Sequence, residues 1–292
     1  MKKEFNKGLL LTSLGSFWWG FIGVLYFEYV SFIGHIELVV HRCLWTAVML
    51  IITTSFFSKW NSFLRIISNK KILLNLFISG FLIFTNWAVW IYAVATERII
   101  DASFGYFIMP IISVLLGYIF FKEDLNKKRI FSIILVLISI LILIFFNLKS
   151  LPWVGLIVAL SWAFYNLIRK KINIDTDLGL LIESLFIFPF ALIVFYLIIK
   201  NGSNDFSFNK PGLSLFLILA GPMTVIPLFL YVRGVELIGL GPTGMIFYIT
   251  PTLQFILGYF YYNEEFSLVK FVSFIIIWIA VVIYLKDLYE KN

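Results

Sequence analysis

Charge is scarce in this sequence. Only 13% of the 292 residues are Asp, Glu, Lys or Arg, and 61% are hydrophobic. Soluble domains carry roughly 25% charged residues, so this composition excludes a soluble globular fold. It predicts an all-α integral membrane protein, with loops too short to form a separate catalytic domain.

Metal ligands and catalytic signatures are also rare. The single cysteine, Cys43, excludes an intramolecular disulfide and a cysteine-based metal site, and only His35 and His41 remain as nitrogen ligands. The sequence contains no Gly-x-Ser-x-Gly, His-Glu-x-x-His or Walker motif. We therefore predict no metal, no cofactor and no enzymatic activity. Without a nucleotide-binding segment, ATP-driven transport would need another subunit.

Apolar runs long enough to cross about 30 Å of hydrocarbon as helices follow one another along the chain. The first is too long for a signal peptide and lacks a small-x-small cleavage site after it, so we expect it to be retained. The pattern predicts ten transmembrane helices, at residues 8–28, 36–58, 72–96, 101–121, 129–147, 151–169, 178–199, 212–233, 238–262 and 267–286.

The scarce glycine, proline and glutamate residues reveal an internal repeat with an offset of 141 residues. Without a gap, Gly80, Pro110, Gly117, Tyr118 and Glu123 fall on Gly221, Pro251, Gly258, Tyr259 and Glu264. Chance matching of these residue types is much less frequent than matching among apolar ones, so we infer a duplicated unit of about 140 residues. The first five-helix repeat is predicted at residues 1–147 and the second at residues 151–292.

The distribution of basic residues predicts the orientation. With the N-terminus inside, inner segments hold 17 of the 23 Lys and Arg residues and outer segments hold five. Both termini should then be cytoplasmic, and the net charge of +7 anchors the inner leaflet rather than a nucleic acid. Five spans per unit make the second repeat enter from the opposite side, as in many secondary transporters. A membrane scaffold or regulatory component and an intramembrane enzyme remain as alternatives.

Ordered motifs over nearly the whole chain resemble one family. They are His41-Arg42, Asn86-Trp87, Ala102-Ser-x-Gly-Tyr-Phe-Ile-x-Pro110, Val-Leu-Leu-Gly117, Leu151-Pro-Trp153, Tyr165, Arg169-Lys170, Glu183, Pro189, Ala220-Gly-Pro-x-Thr-x-x-Pro-Leu228 and Tyr248-Ile-x-Pro-Thr252. On these motifs the chain resembles the RarD group of EamA-type permeases in the drug/metabolite transporter superfamily. The resemblance implies a ten-helix permease of the plasma membrane that moves small organic solutes. It does not identify the solute.

Ionisable residues inside the spans are candidates for function, because each costs at least about 2.5 to 3.5 kcal/mol at the centre of a span. Glu37 and His41 share a helix face, and Arg42 lies roughly 9 Å below the outer boundary. Arg42 could hold a substrate carboxylate or a gating ion pair, and His41 belongs to the same group; the alternative for Arg42 is snorkelling to the interface. Glu37 is a candidate for proton coupling.

Glu183 is the counterpart of this cluster, since a shift of 142 residues carries His41 onto it. Its predicted depth of roughly 7.5 Å from the cytoplasmic edge leaves more than about 10 Å between it and Arg42, which argues against a salt bridge between them. Glu183 is either a protonatable coupling site or a carboxylate that caps the first turn of its own helix.

Prolines and polar or aromatic side chains near the middle of the spans predict a solute pocket. Pro110, Pro227 and Pro251 should kink their helices, because each removes a backbone hydrogen bond. The pocket candidates at similar depth are Trp18, Trp19, Asn86, Trp87, Tyr106, Thr224, Tyr248 and Gln254. For any single aromatic residue, simple packing is the alternative. The expected partners are thus a small-molecule solute and membrane lipids, with no nucleic acid.

Overall fold

The computed structural model describes residues 2–95, 99–147, 153–172, 174–263 and 267–291. Every regular element in these ranges is a helix. The helices are α1 (Lys2–Phe17), a π-helical turn (Trp18–Ile22), α2 (Gly23–Tyr29), α3 (His35–Phe56), α4 (Trp60–Ile67), α5 (Lys70–Ala95), α6 (Ile99–Phe121), α7 (Lys127–Asn147), α8 (Trp153–Lys171), α9 (Thr176–Lys200), α10 (Pro211–Ile238), α11 (Leu240–Ile246), α12 (Ile249–Phe260) and α13 (Leu268–Lys291).

Eight helical segments of the described chain have the length and composition needed to cross a membrane. The sixth and ninth predicted spans are not among them. The sixth span corresponds to α8, which ends in Arg169, Lys170 and Lys171 and has much of its surface buried. The ninth is divided into α11 and α12 by a break at Phe247 and Tyr248. The all-helical prediction is confirmed, whereas the count of ten uninterrupted helices is not.

Large apolar side chains on the outside of the bundle match a lipid surroundings. Phe145 is 81% exposed, Phe190 68% and Ile119 64%. Exposed apolar surface on this scale is normal where the surrounding solvent is hydrocarbon, because apolar side chains have no water to avoid there. The helices satisfy their own backbone hydrogen bonds in that solvent. The short helix α4 lies between two of the membrane-spanning helices. On it, Arg65 is exposed and Ile66 is buried.

Three pairs of equivalent helices meet antiparallel to each other. Between α6 and α11, Gly244 lies against Pro110. Just after α11, the Tyr248 hydroxyl donates to the Phe107 carbonyl of α6 at 2.7 Å. In α7 and α13, Ser139 bonds to Ser273, whereas Arg129 pairs with Asp287. In α3 and α9, His41 contacts Phe195, whereas Lys59 pairs with Asp177. In each pair, moving forward along one helix means moving backward along its partner.

These contacts define two ends of the bundle. At the terminal end, Lys2 lies over the ring of Tyr289, and the loop at 122–126 meets the start of α11, where the Gly241 N–H donates to Glu123. At the distal end, the loop at 201–210 reaches α3, where the backbone N–H groups of Asp205 and Phe206 donate to Glu37. The core of buried side chains between the ends is formed chiefly by α3, α5, α6, α8, α9 and α10.

Candidate functional site

A cavity of about 350 Å³ opens between the helices of the two halves. Its volume lies in the range of small-molecule sites, and its walls are mostly aromatic with a few polar groups. The lining residues are Trp19, Gly23, Val24, Phe27, Glu28, Arg42, Asn86, Trp87, Trp90, Tyr106, Trp162, Thr224, Leu228, Phe247, Thr250, Gln254 and Tyr262.

Arg42 supplies the positive charge of the cavity. Its Nε donates to the Thr224 hydroxyl at 3.1 Å, and its guanidinium lies 4.7 Å from the ring centroid of Trp87 and 5.0 Å from that of Phe27. None of the ion pairs among the described residues involves Arg42. The side chain is therefore held by a hydroxyl and two rings, with guanidinium donors left for a ligand.

The aromatic wall is built from several helices and the break before α12. The π-helical turn places Trp19 against Trp162 of α8, with ring centroids 5.1 Å apart in an edge-to-face arrangement at 81°. Phe247, at the break before α12, contacts Trp19 and Tyr106. An extra residue per turn rotates the following side chains, and such π turns are frequent at functional sites. The break and the π turn both direct rings into one volume.

Amide groups complete the lining. The Asn86 amide donates to the Val158 carbonyl at 2.9 Å and to the Ser161 hydroxyl at 3.1 Å, which fixes α5 against α8. Gln254 of α12 also lines the cavity. These groups give the apolar cavity a small number of directional contacts, as ligand sites usually have.

The mouth of the cavity is at the distal end. Glu28 and Tyr262 both line the cavity and are both exposed, and the Tyr262 hydroxyl donates to the Glu28 carboxylate. Glu28 was not predicted from the sequence, because it stands at the very end of the first span, where a charged residue needs no special explanation. Trp90 and Trp162 were not predicted either, because the chain has so many aromatic residues.

The terminal end is closed by polar contacts between the halves. Glu123, in the loop after α6, accepts hydrogen bonds from the backbone N–H groups of Leu240 and Gly241, each at 2.8 Å. This carboxylate caps the first turn of α11. Lys170 lies 3.9 Å from Glu123 and donates to the Val235 carbonyl at 3.2 Å. Glu264, the residue that the repeat matches with Glu123, lies outside the described residues.

Several predicted residues lie away from the cavity. His41 is 1% exposed, accepts a hydrogen bond from Trp45 and lies 3.5 Å from Glu37, so the shared face predicted for the pair is observed. Glu37 is anchored to the loop at 201–210. Tyr248 is 2% exposed and bonded to α6. Trp18 does not line the cavity either, whereas the next residue, Trp19, does.

Glu183 sits in a sealed polar pocket. The helix α9 begins at Thr176, so Glu183 is two turns inside it, and the alternative that it caps the first turn of its own helix is wrong. The carboxylate is surrounded by Ser79, Tyr165 and Arg169. Among the described residues its ion pair is with Arg169, in agreement with the expectation that it would not pair with Arg42.

The three kink prolines differ in their surroundings. Pro110 and Pro227 lie inside the continuous helices α6 and α10. Pro251 is instead the third residue of α12, immediately after the break at Phe247 and Tyr248. A backbone N–H in the first turn of a helix has no intrahelical acceptor, so a proline there costs no hydrogen bond. At this position Pro251 begins a helix rather than bending one.

These features define a class of protein. A bundle of apolar helices with antiparallel equivalent pairs surrounds a cavity that has one mouth and one closed end, which is the architecture of a membrane transporter.

Comparison with known proteins gives the family. The EamA-like transporter family profile matches residues 6–145 and 150–286. The chain belongs to the EamA-like transporter family, which confirms the resemblance seen in its motifs. It is similar to Protein RarD of Escherichia coli (strain K12), with 32% identity over 285 residues that cover 98% of this chain and 96% of that protein.

Two further relatives and one solved structure agree. An uncharacterized transporter of Vibrio cholerae is 32% identical over 287 residues, covering 98% of this chain and 94% of that protein. The uncharacterized transporter YojE of Bacillus subtilis is 32% identical over 284 residues, covering 96% and 94%. A crystal structure with 12% identity covers 96% of this chain and 97% of its own, with a TM-score of 0.72. The chain is a multi-pass transporter of the inner membrane.

Proposed function

We propose that this transporter is a secondary carrier that moves small organic anions with an aromatic or planar part by alternating access. The observation that carries the proposal is Arg42, a half-buried residue whose guanidinium faces the aromatic cavity and takes part in none of the ion pairs among the described residues. A planar fork of donors suits a carboxylate, and the rings around it suit a flat apolar body.

Alternating access is supported by the difference between the two ends. The cavity reaches solvent beside Glu28 and Tyr262, whereas the terminal end is held shut by the contacts of Glu123 and Lys170. A carrier must exchange these two conditions, so the contacts of the terminal end should break while the lip at the distal end closes.

Two inverted repeats would supply such an exchange. The helix contacts of one half recur in the other with the partners exchanged: α1 packs on α10 and α8 packs on α5, and α10 packs on α3 and α5 packs on α9. This reciprocity and the antiparallel pairs support two five-helix units, residues 1–147 and 151–292, related by an axis in the membrane plane. With the excess of Lys and Arg at the terminal end, both termini would be cytoplasmic.

A thermal-shift experiment on the purified protein tests the anion site. The probes are aromatic carboxylates, each matched with its neutral amide. We expect the carboxylates to raise the unfolding temperature, since a ligand at 100 times its Kd stabilises by about 2.7 kcal/mol, and the amides to leave it nearly unchanged. A carboxylate that responds is then followed in proteoliposomes by counterflow exchange.

Arg42 variants connect the response to the site. Arg42→Gln should lose the thermal shift and the counterflow, and Arg42→Lys should lose most of both, because an ammonium lacks the planar fork. The control is Arg65→Gln on the exposed face of α4, which should behave as the wild type. Equal responses to acids and amides, or an undiminished response in Arg42→Gln, would contradict an anion site.

A further inference from the structure

Glu183 is an enclosed carboxylate with several polar partners. It is 2% exposed, the Ser79 hydroxyl donates to its Oε1 at 2.5 Å, and the Tyr165 hydroxyl donates to its Oε2 at 3.2 Å. Arg169 places Nη1 3.5 Å from Oε1. The two hydroxyls donate hydrogen bonds to the carboxylate and the guanidinium adds a positive charge beside it, which is the arrangement that suits its ionised form.

A small void separates Glu183 from the solute cavity. Its volume is about 10 Å³, which is close to the space that one water molecule needs. Glu183 and Thr46 line the void, and Trp87 and Leu228 line both the void and the large cavity. A single water there would stand between the carboxylate and the solute site.

On its other side, Glu183 is connected toward the terminal end. Arg169 is 1% exposed, donates to the Thr176 carbonyl at 3.1 Å and lies 3.9 Å from Oε1 of Glu236. Glu236 in turn accepts a hydrogen bond from Arg233, which is 42% exposed. Arg169 is thus shared between a deep carboxylate on α9 and a shallower one on α10.

We propose that Glu183 is a proton-binding site served from the cavity through the one-water void, and that Arg169 is a positioning residue that changes partner from Glu183 to Glu236 when the proton binds. This inference deepens the proposed carrier function and rests on it for its role in transport. The proton passes from the water in the void to a carboxylate oxygen, and leaves by the reverse step.

The chemistry of the three partners makes Arg169 the one that responds. A protonated carboxyl donates its new O–H, and the hydroxyls of Ser79 and Tyr165 can rotate to accept it. A guanidinium can only donate hydrogen bonds. Arg169 therefore loses its attraction to the neutral Glu183 and keeps its attraction to the charged Glu236. The charged or titratable groups that face Glu183 are Tyr165 and Arg169 from α8, and Glu236 of α10 through Arg169; α5 and α3 contribute neutral hydroxyls.

A change of partner at Arg169 would reach the closed end directly. The next residue, Lys170, is the one that contacts Glu123 and the Val235 carbonyl. Releasing Arg169 from Glu183 loosens the end of α8 from α9, so protonation and the opening of the terminal end are linked.

Hydrogen exchange of the full-length protein in lipid nanodiscs tests the switch, with rates corrected for the intrinsic effect of pH. Between about pH 5 and pH 9, amides in the last two turns of α8 should lose protection about tenfold on the acidic side, as expected for the loss of one charged contact. Glu183→Gln should show the acidic pattern at every pH. The control Glu37→Gln, another buried carboxylate, should titrate as the wild type.

A glycine offers a second variant that leaves every carboxylate in place. The Arg169 guanidinium occupies the space where a Cβ on Gly179 would stand, so Gly179→Ala should expel Arg169 and give the same pH-independent acidic pattern. Its control is Gly212→Ala, where nothing lies within 4 Å.

The outcomes separate the two proposals. A wild-type pH response that persists in Glu183→Gln or in Gly179→Ala overturns the switch, as does its loss in Glu37→Gln. Counterflow of an aromatic carboxylate by the wild type is measured on the same preparation. Its absence contradicts the carrier function, whereas the exchange data on α8 decide the proton site independently.

Discussion

Arg42 and Glu183 stand equally far from the start of their helices and have opposite surroundings. Each is the eighth residue of its helix, α3 for Arg42 and α9 for Glu183. Arg42 faces a cavity with a mouth and is held by one hydroxyl and two rings. Glu183 is enclosed by two hydroxyls and a guanidinium, with room for a single water beside it.

The comparison shows that neighbours, rather than depth, decide what an intramembrane charge can do. A charge that keeps its donors free toward a cavity can exchange water for solute. A charge neutralised by a buried partner is inert until one partner changes its protonation state, because breaking such a pair otherwise costs about 3 to 5 kcal/mol. Of the two residues, Arg42 thus faces the cavity and Glu183 is kept from it.

Side-specific labelling gives the largest effect, because it is present or absent. If the halves are inverted, Lys127 and Lys200, which are both exposed, lie on opposite faces of the membrane. In a Cys43→Ala background, Lys200→Cys should react with an impermeant thiol reagent added outside and Lys127→Cys should not. Labelling of position 127 alone would reverse the predicted orientation. Labelling of both would contradict the placement of the two residues on opposite faces.

Two glycines test how tightly each helix is held. A Cβ on Gly221 would lie 2.5 Å from the carbonyl oxygen of Trp45, one turn after Arg42, and a Cβ on Gly80 would lie 3.2 Å from that of Glu183. Backbone cannot move aside as a side chain does, so Gly221→Ala should lower the free energy of unfolding by about 1 to 3 kcal/mol.

The same measurement on Gly80→Ala should give at most about 1 kcal/mol, since a shift of a few tenths of an ångström relieves its contact. Thermal unfolding of the solubilised variants, with Gly212→Ala as the unhindered control, ranks the three. A larger loss in Gly80→Ala than in Gly221→Ala would mean that the helix of Glu183 is the more constrained of the two.

Composition was enough to predict a helical membrane protein, and the ordered motifs indicated its family. Polarity at mid-span drew attention to Arg42, Asn86 and Gln254, which line the cavity. The sequence could not tell which face of an apolar helix points inward, because nearly every position is apolar. Trp162 was therefore missed and Tyr248 was expected at the pocket. The cap at the start of α11 comes from Glu123, 117 residues from its bonding partner Leu240.

The partners of Glu183 were equally beyond the reach of the sequence. Ser79 lies 104 residues away and Tyr165 lies 18 residues away on a different helix. Local spacing reveals pairs such as Glu37 and His41 on one helix, but a polar pocket assembled from three helices becomes visible only once they are packed.

The last comparison removes the hydroxyl partners of the two charges. Ser79→Ala removes a 2.5 Å hydrogen bond from a carboxylate with little access to water, so it should cost about 1 to 3 kcal/mol. Thr224→Val removes the 3.1 Å acceptor of Arg42, yet water in the cavity can replace it at nearly equal enthalpy, so the loss should stay below about 1 kcal/mol.

Chemical unfolding of both variants measures the difference, and a double-mutant cycle assigns it. In a Glu183→Gln background the effect of Ser79→Ala should shrink, because the bond then joins two neutral groups and is weaker than a charge-assisted one. In an Arg42→Gln background the effect of Thr224→Val should change little, since the hydroxyl was already replaceable. Equal losses for Ser79→Ala and Thr224→Val would show that water reaches Glu183 as freely as it reaches Arg42, and the contrast between the two sites would then be wrong.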